Sequence, residues 1–394
     1  MADALDEMAD ALDEPPRPFT VHVPDEVLAD LRARIAATRW PSAAPGNAWE
    51  QGADLGYLRG LLAYWAAGFD WRRREQALNA YRHFTLDLDG VPIHFVHHRA
   101  RHGNGVPLIL SHGWPSAFTE YVPLVAPLTD PAGHGLTGPA FDVVIPSLPG
   151  YGFSGRPATP TTYRRVADLW HRLMRRLGYR RYGAGGADFG AGVSTVLAMD
   201  HPDEVIGLHL TTIEPDPYHG EGAPPLTEAE ERYLAHNEAW WRAEGAYKEL
   251  QATKPQSLAY GLTDSPAGLA AWIVEKWRSW SDSGGDLDAH IDRDFLLELL
   301  TIYWATGCIG TSLRDYYDNR RYPLQLGPDD RVRVPTGIAV FSHQFVPEGD
   351  PPREWAERGY HVHRWTPMPR GGHFAAAEEP DLVAQDILAF FDSL

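Results

Sequence analysis

The chain has 394 residues, 44% of them hydrophobic and 11% aromatic, with a formal net charge of −18. That composition supports a sizeable core, and the acidic balance argues against nucleic-acid and anionic-membrane partners. One cysteine, Cys308, excludes an intrachain disulfide. No signal peptide is seen, nor any run near the roughly 20 apolar residues of a membrane span, so a cytoplasmic location is expected.

Residues 1–16 carry an acidic seven-residue repeat closed by Pro15 and Pro16, which predicts a disordered tail. Residues 17–84 predict a helical preface. Val27, Leu28, Leu31 and Ile35 recur at helical spacing after Asp25, a good N-cap, and a second helix runs through Tyr57, Leu58, Leu61, Leu62 and Trp65. From about 84 the pattern turns to strands. Segments 83–88 and 93–97 read as a hairpin across Asp89-Gly90. Short apolar runs at 107–111, 143–146, 182–187, 205–211 and 337–341 then alternate with helical stretches. Such alternation predicts an α/β fold with a mostly parallel sheet covered by helices. Residues 215–325 break the pattern with helical spacing and read as a cap inserted between two strands. Core segments 85–214 and 326–394 flank it, and a last helix is expected over 380–394.

The chemistry centres on Gly186-Ala187-Asp188-Phe189-Gly190, which follows a strand and precedes a helix. It has the shape of a nucleophile elbow, with Asp where Ser is usual. A carboxylate attacks saturated carbon that bears a good or strained leaving group and leaves an ester on Asp188. Hydrolysis of that ester needs a base and an oxyanion hole. The turn His112-Gly113-Trp114-Pro115 can aim the Trp114 N–H at the nucleophile, beside that of Phe189, with His112 itself structural. In Arg370-Gly371-Gly372-His373-Phe374 the glycines let a loop project His373 as general base, in the chain order this fold uses. No metal-ligand spacing or nucleotide fingerprint stands out, so no cofactor is expected and water is the cosubstrate.

HGWPSAFTEY, LPGYGFS, ATKP, LTDSPAGLAAWIVEKW, YWATG, VPTG and RGGHFAAAEEP, with the preface from Pro18, resemble the microsomal-type epoxide hydrolases. That family also includes juvenile-hormone and fungal epoxide hydrolases. The resemblance covers nearly the whole chain and implies an α/β-hydrolase fold whose preface is an N-terminal meander. It implies an epoxide substrate opened to a diol, with Asp188 as nucleophile, His373 as base, and Tyr247 and Tyr316 as donors to the ring oxygen. It also implies a soluble member; a homodimer is left open. Trp240 and Trp241, near Tyr247, join Trp114 and Phe189 as candidate lining for an aromatic or polycyclic epoxide. Detoxification or secondary metabolism would supply such a substrate.

The pattern departs from the family at the acid that orients the histidine. By the VPTG anchor that position is Gln344, which carries no charge. Three readings stay open: Gln344 as a neutral orienter, an acid relocated to Glu214 or Asp216, or else Glu348 or Asp350 reaching in or an ester step that is not hydrolytic at all. The rival functions are a ligand-binding homologue slowed by Gln344 and a dehalogenase, which would want a tryptophan donor where Phe189 stands.

Overall fold

A computed structural model describes residues 14–46, 48–343 and 350–394. Nine strands form one sheet: β1 (Arg17–Phe19), β2 (His83–Leu88), β3 (Val91–His98), β4 (Val106–Ser111), β5 (Phe141–Pro146), β6 (Tyr182–Gly186), β7 (Val205–Leu210), β8 (Val332–His343) and β9 (Tyr360–Gly372). Their order is β1-β2-β3-β5-β4-β6-β7-β8-β9. The β1–β2, β2–β3 and β3–β5 pairs are antiparallel, and every pair from β5 to β9 is parallel. This is the α/β-hydrolase fold. The buried strands β4 and β5 are nearly continuous in Val, Leu and Ile because helices cover both faces of a parallel sheet.

Three features lie beyond the sequence expectations. Arg17–Phe19 forms a strand that extends the sheet by pairing with β2, with Arg17 opposite Thr85. A third preface helix spans Trp71–Leu78. Asp25 does not cap its helix; Pro24 takes the N-cap position with extended backbone. Asp25 therefore falls in the first turn, where its charge suits the helix dipole and pairs with Arg72.

The helix Phe189–Asp200 packs on β4, β6, β7 and β8, at the centre of the sheet. Eight helical segments between Glu228 and Arg321 connect β7 to β8 as a cap. Its first helix opens with a capping box between Thr227 and Glu230, which satisfies two otherwise orphan N–H groups. The cap is fastened over the sheet by polar bonds. The indole of Trp277 donates to the carbonyl of Pro115 at 3.0 Å, and the hydroxyl of Tyr303 to that of Ser116 at 2.8 Å. The preface holds the same cap from outside, through Trp65 Nε1 to Thr301 Oγ1 at 2.9 Å and Arg74 to the buried Glu298 at 2.8 Å. Among the described residues, no single helix is long and apolar enough to cross a membrane.

Candidate active site

Asp188 occupies a sharp corner between β6 and the helix Phe189–Asp200, with φ 52° and ψ −129°. A non-glycine residue there carries strain of about 1–3 kcal/mol, held by its surroundings. Those surroundings demand small neighbours. A Cβ on Gly190 would come within 2.0 Å of the Ser111 carbonyl, and one on Gly113 within 2.4 Å of the Asp188 side chain. The Asp188 N–H donates to Thr212 Oγ1 at 2.7 Å, which fixes the turn from β7.

The two carboxylate oxygens of Asp188 have different partners. Oδ1 accepts the N–H of Trp114 at 2.9 Å and that of Phe189 at 2.7 Å. Oδ2 lies 3.6 Å from His373 Nε2. One oxygen thus sits in a two-donor pocket suited to a developing oxyanion, and the other faces the imidazole. His373 is buried, its N–H donates to the carbonyl of Trp280 at 2.8 Å, and its ring meets the Trp280 indole edge-on. His112 is also buried, between the Gly113 carbonyl and the Leu148 N–H. Burial lowers its pKa to about 4, so it stays neutral near pH 7.

Tyr247 and Tyr316 descend from the cap, with ring centroids 6.0 Å apart. Tyr247 stacks on Trp114, while Tyr316 stands edge-on to both Trp114 and Phe189. Burial pushes both phenols well above their ordinary range, so they remain protonated donors near neutral pH.

Two cavities meet at Asp188. The first, of about 350 Å³, is bordered by Asp188, Phe189, Tyr247, Tyr316, Trp241 and Tyr163. The second, of about 80 Å³, lies on the His373 side, against Thr212, Glu214, Ile338 and Asp350. That space is large enough to admit water. Trp114 and Trp240 are not in the wall of the first cavity: Trp240 packs edge-on against Trp241. A bigger groove of about 910 Å³ runs between the preface and the cap, along Trp40, Trp49 and Pro266, but contains none of these groups.

Glu214 borders both cavities beside Asp188. It accepts the Tyr163 hydroxyl at 2.6 Å. It keeps some surface toward the cavities, yet burial pushes its carboxyl up to about 7, against the pull of Lys248. No ion pair between Glu214 and His373 forms among the described residues. Asp350 is exposed on the rim of the small cavity. Asp216, the other candidate on that loop, is exposed and outside both cavity walls. Gln344 and Glu348 lie outside the described residues.

Sequence reading missed Thr212, Tyr163, Lys248 and Asn319. The last two had a signal: they stand one and three residues after Tyr247 and Tyr316 on the same short helices, and both border the larger cavity.

Residues 16–121 match the family model described as the epoxide hydrolase N terminus, and residues 106–273 match that of the alpha/beta hydrolase fold. Epoxide hydrolase 1 of Oryctolagus cuniculus is 36% identical over 408 residues, covering 96% of this chain and 89% of that protein. The chain belongs to the epoxide hydrolase family. Solved structures of epoxide hydrolases agree. The juvenile hormone epoxide hydrolase of the silkworm Bombyx mori superposes with a TM-score of 0.85 at 29% identity, covering 98% of this chain and 96% of that one. The Aspergillus niger epoxide hydrolase gives a TM-score of 0.83 at 27% identity, covering 98% of each chain.

Proposed function

We propose that the chain opens an epoxide to a vicinal diol through a covalent ester on Asp188. The observation that carries this reading is the division of labour at the carboxylate. Oδ1 is held by the N–H groups of Trp114 and Phe189, and Oδ2 faces His373.

In the first step an Asp188 oxygen attacks a ring carbon in the larger cavity. The carbon–oxygen bond of the ring breaks, its electron pair goes to the ring oxygen, and that oxygen takes a proton from Tyr247 or Tyr316. In the second step His373 removes a proton from a water in the small cavity, and that water attacks Cγ of Asp188. The resulting oxyanion sits where Oδ1 now accepts two N–H bonds. Collapse breaks the Cγ–O bond to the alkyl group, whose oxygen takes the proton back from the His373 imidazolium to complete the diol. The remaining water proton, on the new carboxylic acid, returns to the tyrosinate, which restores the Asp188 carboxylate. An epoxide substrate and water are the only reactants needed.

The aromatic border of the larger cavity, Phe189, Trp241, Tyr163, Tyr247 and Tyr316, fits an aromatic or polycyclic epoxide. Such compounds arise in detoxification and secondary metabolism. The experiment is turnover of a styrene-oxide-type substrate by the wild type, Gln344→Glu and Glu214→Gln. The mechanism predicts diol formation by the wild type. Faster turnover by Gln344→Glu identifies a neutral orienter, and collapse with Glu214→Gln a relocated acid. No diol from wild-type protein on any aryl epoxide would overturn the reading.

A further inference from the structure

The RGGHFAAAEEP segment contains an acid that the chemistry above does not use. Glu378 ends the short helix Ala375–Glu378, five residues after His373. Its side chain is fully buried. One carboxylate oxygen, Oε2, accepts the N–H of Gly372 at 3.0 Å, and the other, Oε1, accepts the N–H of Phe374 at 2.9 Å. Those are the residues immediately before and after His373. The same Oε2 accepts the N–H of Asp282 at 2.8 Å and meets His290 Nε2 at 2.9 Å, and both of these belong to the cap. The N–H of His373 itself goes to Trp280, the last residue of the cap helix Pro266–Trp280.

All three consecutive N–H groups of 372–374 are therefore engaged, two by one carboxylate and one by the cap. A buried carboxylate is a poor way to gain net stability, because its desolvation offsets its bonds. Its value here is directional: charge-assisted bonds to both flanks of one residue fix the backbone from which the imidazole projects. We propose that Glu378 is a positioning residue that sets His373 over the Asp188 ester and locks that placement to the cap. It acts through His373 and not on the substrate, so its effect falls on ester hydrolysis. Attack by Asp188, assisted by the tyrosines, proceeds without it.

This inference rests on the ester mechanism, and the experiment separates the two. Wild type and Glu378→Gln are mixed with styrene oxide, quenched at short times and weighed intact. Formation and decay of the protein-plus-substrate species are then fitted separately. The variant keeps the size of the side chain but turns an amide N–H toward at least one N–H donor. Adduct formation is expected near the wild-type rate, with decay slowed roughly 10²-fold, so adduct accumulates. Should Glu378→Gln yield no folded protein, Glu378→Asp, which withdraws the charge by one methylene, is read in the same assay with the same expected split. A variant in which both steps slow together, or neither does, overturns the positioning role. Absence of any adduct, even transient, in wild type and in His373→Gln would instead remove the ester mechanism on which it stands.

Discussion

His373 Nε2 stands 3.6 Å from Asp188 Oδ2, while the opposite oxygen of the same carboxylate is already held by two backbone N–H groups. The imidazole therefore bears on the oxygen that is free to react and leaves the oxyanion position untouched. Replacing His373 by Gln removes the base for the second step only. The variant is expected to bind one substrate equivalent covalently and turn over at least ~10²-fold more slowly. Intact-mass measurement checks this; a variant that neither turns over nor gains mass would argue against a base acting after ester formation.

Tyr247 and Tyr316 face the same cavity from two cap helices. If both donate to the ring oxygen, each single change to Phe leaves one donor, and the double change leaves none. Single variants should lose roughly 10- to 100-fold in the rate of adduct formation, and the double variant should lose more than 10³-fold. Stopped-flow quenching of Trp fluorescence on mixing with substrate would follow that step. Full activity in the double variant would exclude both as proton donors.

The elbow has no room for a methyl group at Gly190, where a Cβ would lie 2.0 Å from the Ser111 carbonyl. Gly190→Ala must displace β4 or the helix that starts beside it. A loss of about 3 kcal/mol is expected, with activity lost in whatever folds. Urea unfolding measures it; an unchanged midpoint would mean that the corner is looser than the geometry requires.

Buried acids set the pH dependence of stability. Burial pushes Glu120 and Asp315 each up to about 8, from ordinary values of 4.5 and 3.8. Between those limits the folded chain keeps protons that the unfolded chain has released, so the contribution of these two acids falls as pH rises from about 4 to about 8. Asp386 behaves in the opposite sense. Burial alone would raise it, but its bonds to His209, Thr366 and Arg364 bring it to about 2. Its contribution is full above 3.8 and disappears as pH falls through 2. Buried His97 and His112, each lowered to about 4, also act oppositely to Glu120 and Asp315, and their contribution is lost as pH falls from 6.5 to 4. Thermal melting is therefore expected to decline as pH rises from about 6.5 to 8, with a shallower decline in Glu120→Gln. An identical slope in wild type and variant would contradict the assignment.

Much of this was legible in the chain. Alternating apolar runs located β4 to β8, because strands buried on both faces cannot hide their composition. The elbow was legible because its corner admits only small residues around Asp188. The three-residue strand Arg17–Phe19 was not, since it is too short to show a period and owes its conformation to β2. Nor was the double role of the space around Glu214. Its bond to Tyr163 joins residues 51 apart, and only the folded chain puts that carboxyl between two cavities. The preface helix at Trp71–Leu78 was hidden by its run of three arginines, whose interest lies in Arg72 and Arg74 reaching Glu75 and Glu298.

The most direct measurement is a single turnover in water enriched in oxygen-18, with enzyme in excess over an aryl epoxide. The ester route predicts that the first diol carries no label, because its new oxygen comes from Asp188. The peptide containing Asp188 would then gain one heavy oxygen. Label in that first diol, with Asp188 unlabelled, would mean that water attacks the epoxide directly and would contradict the account.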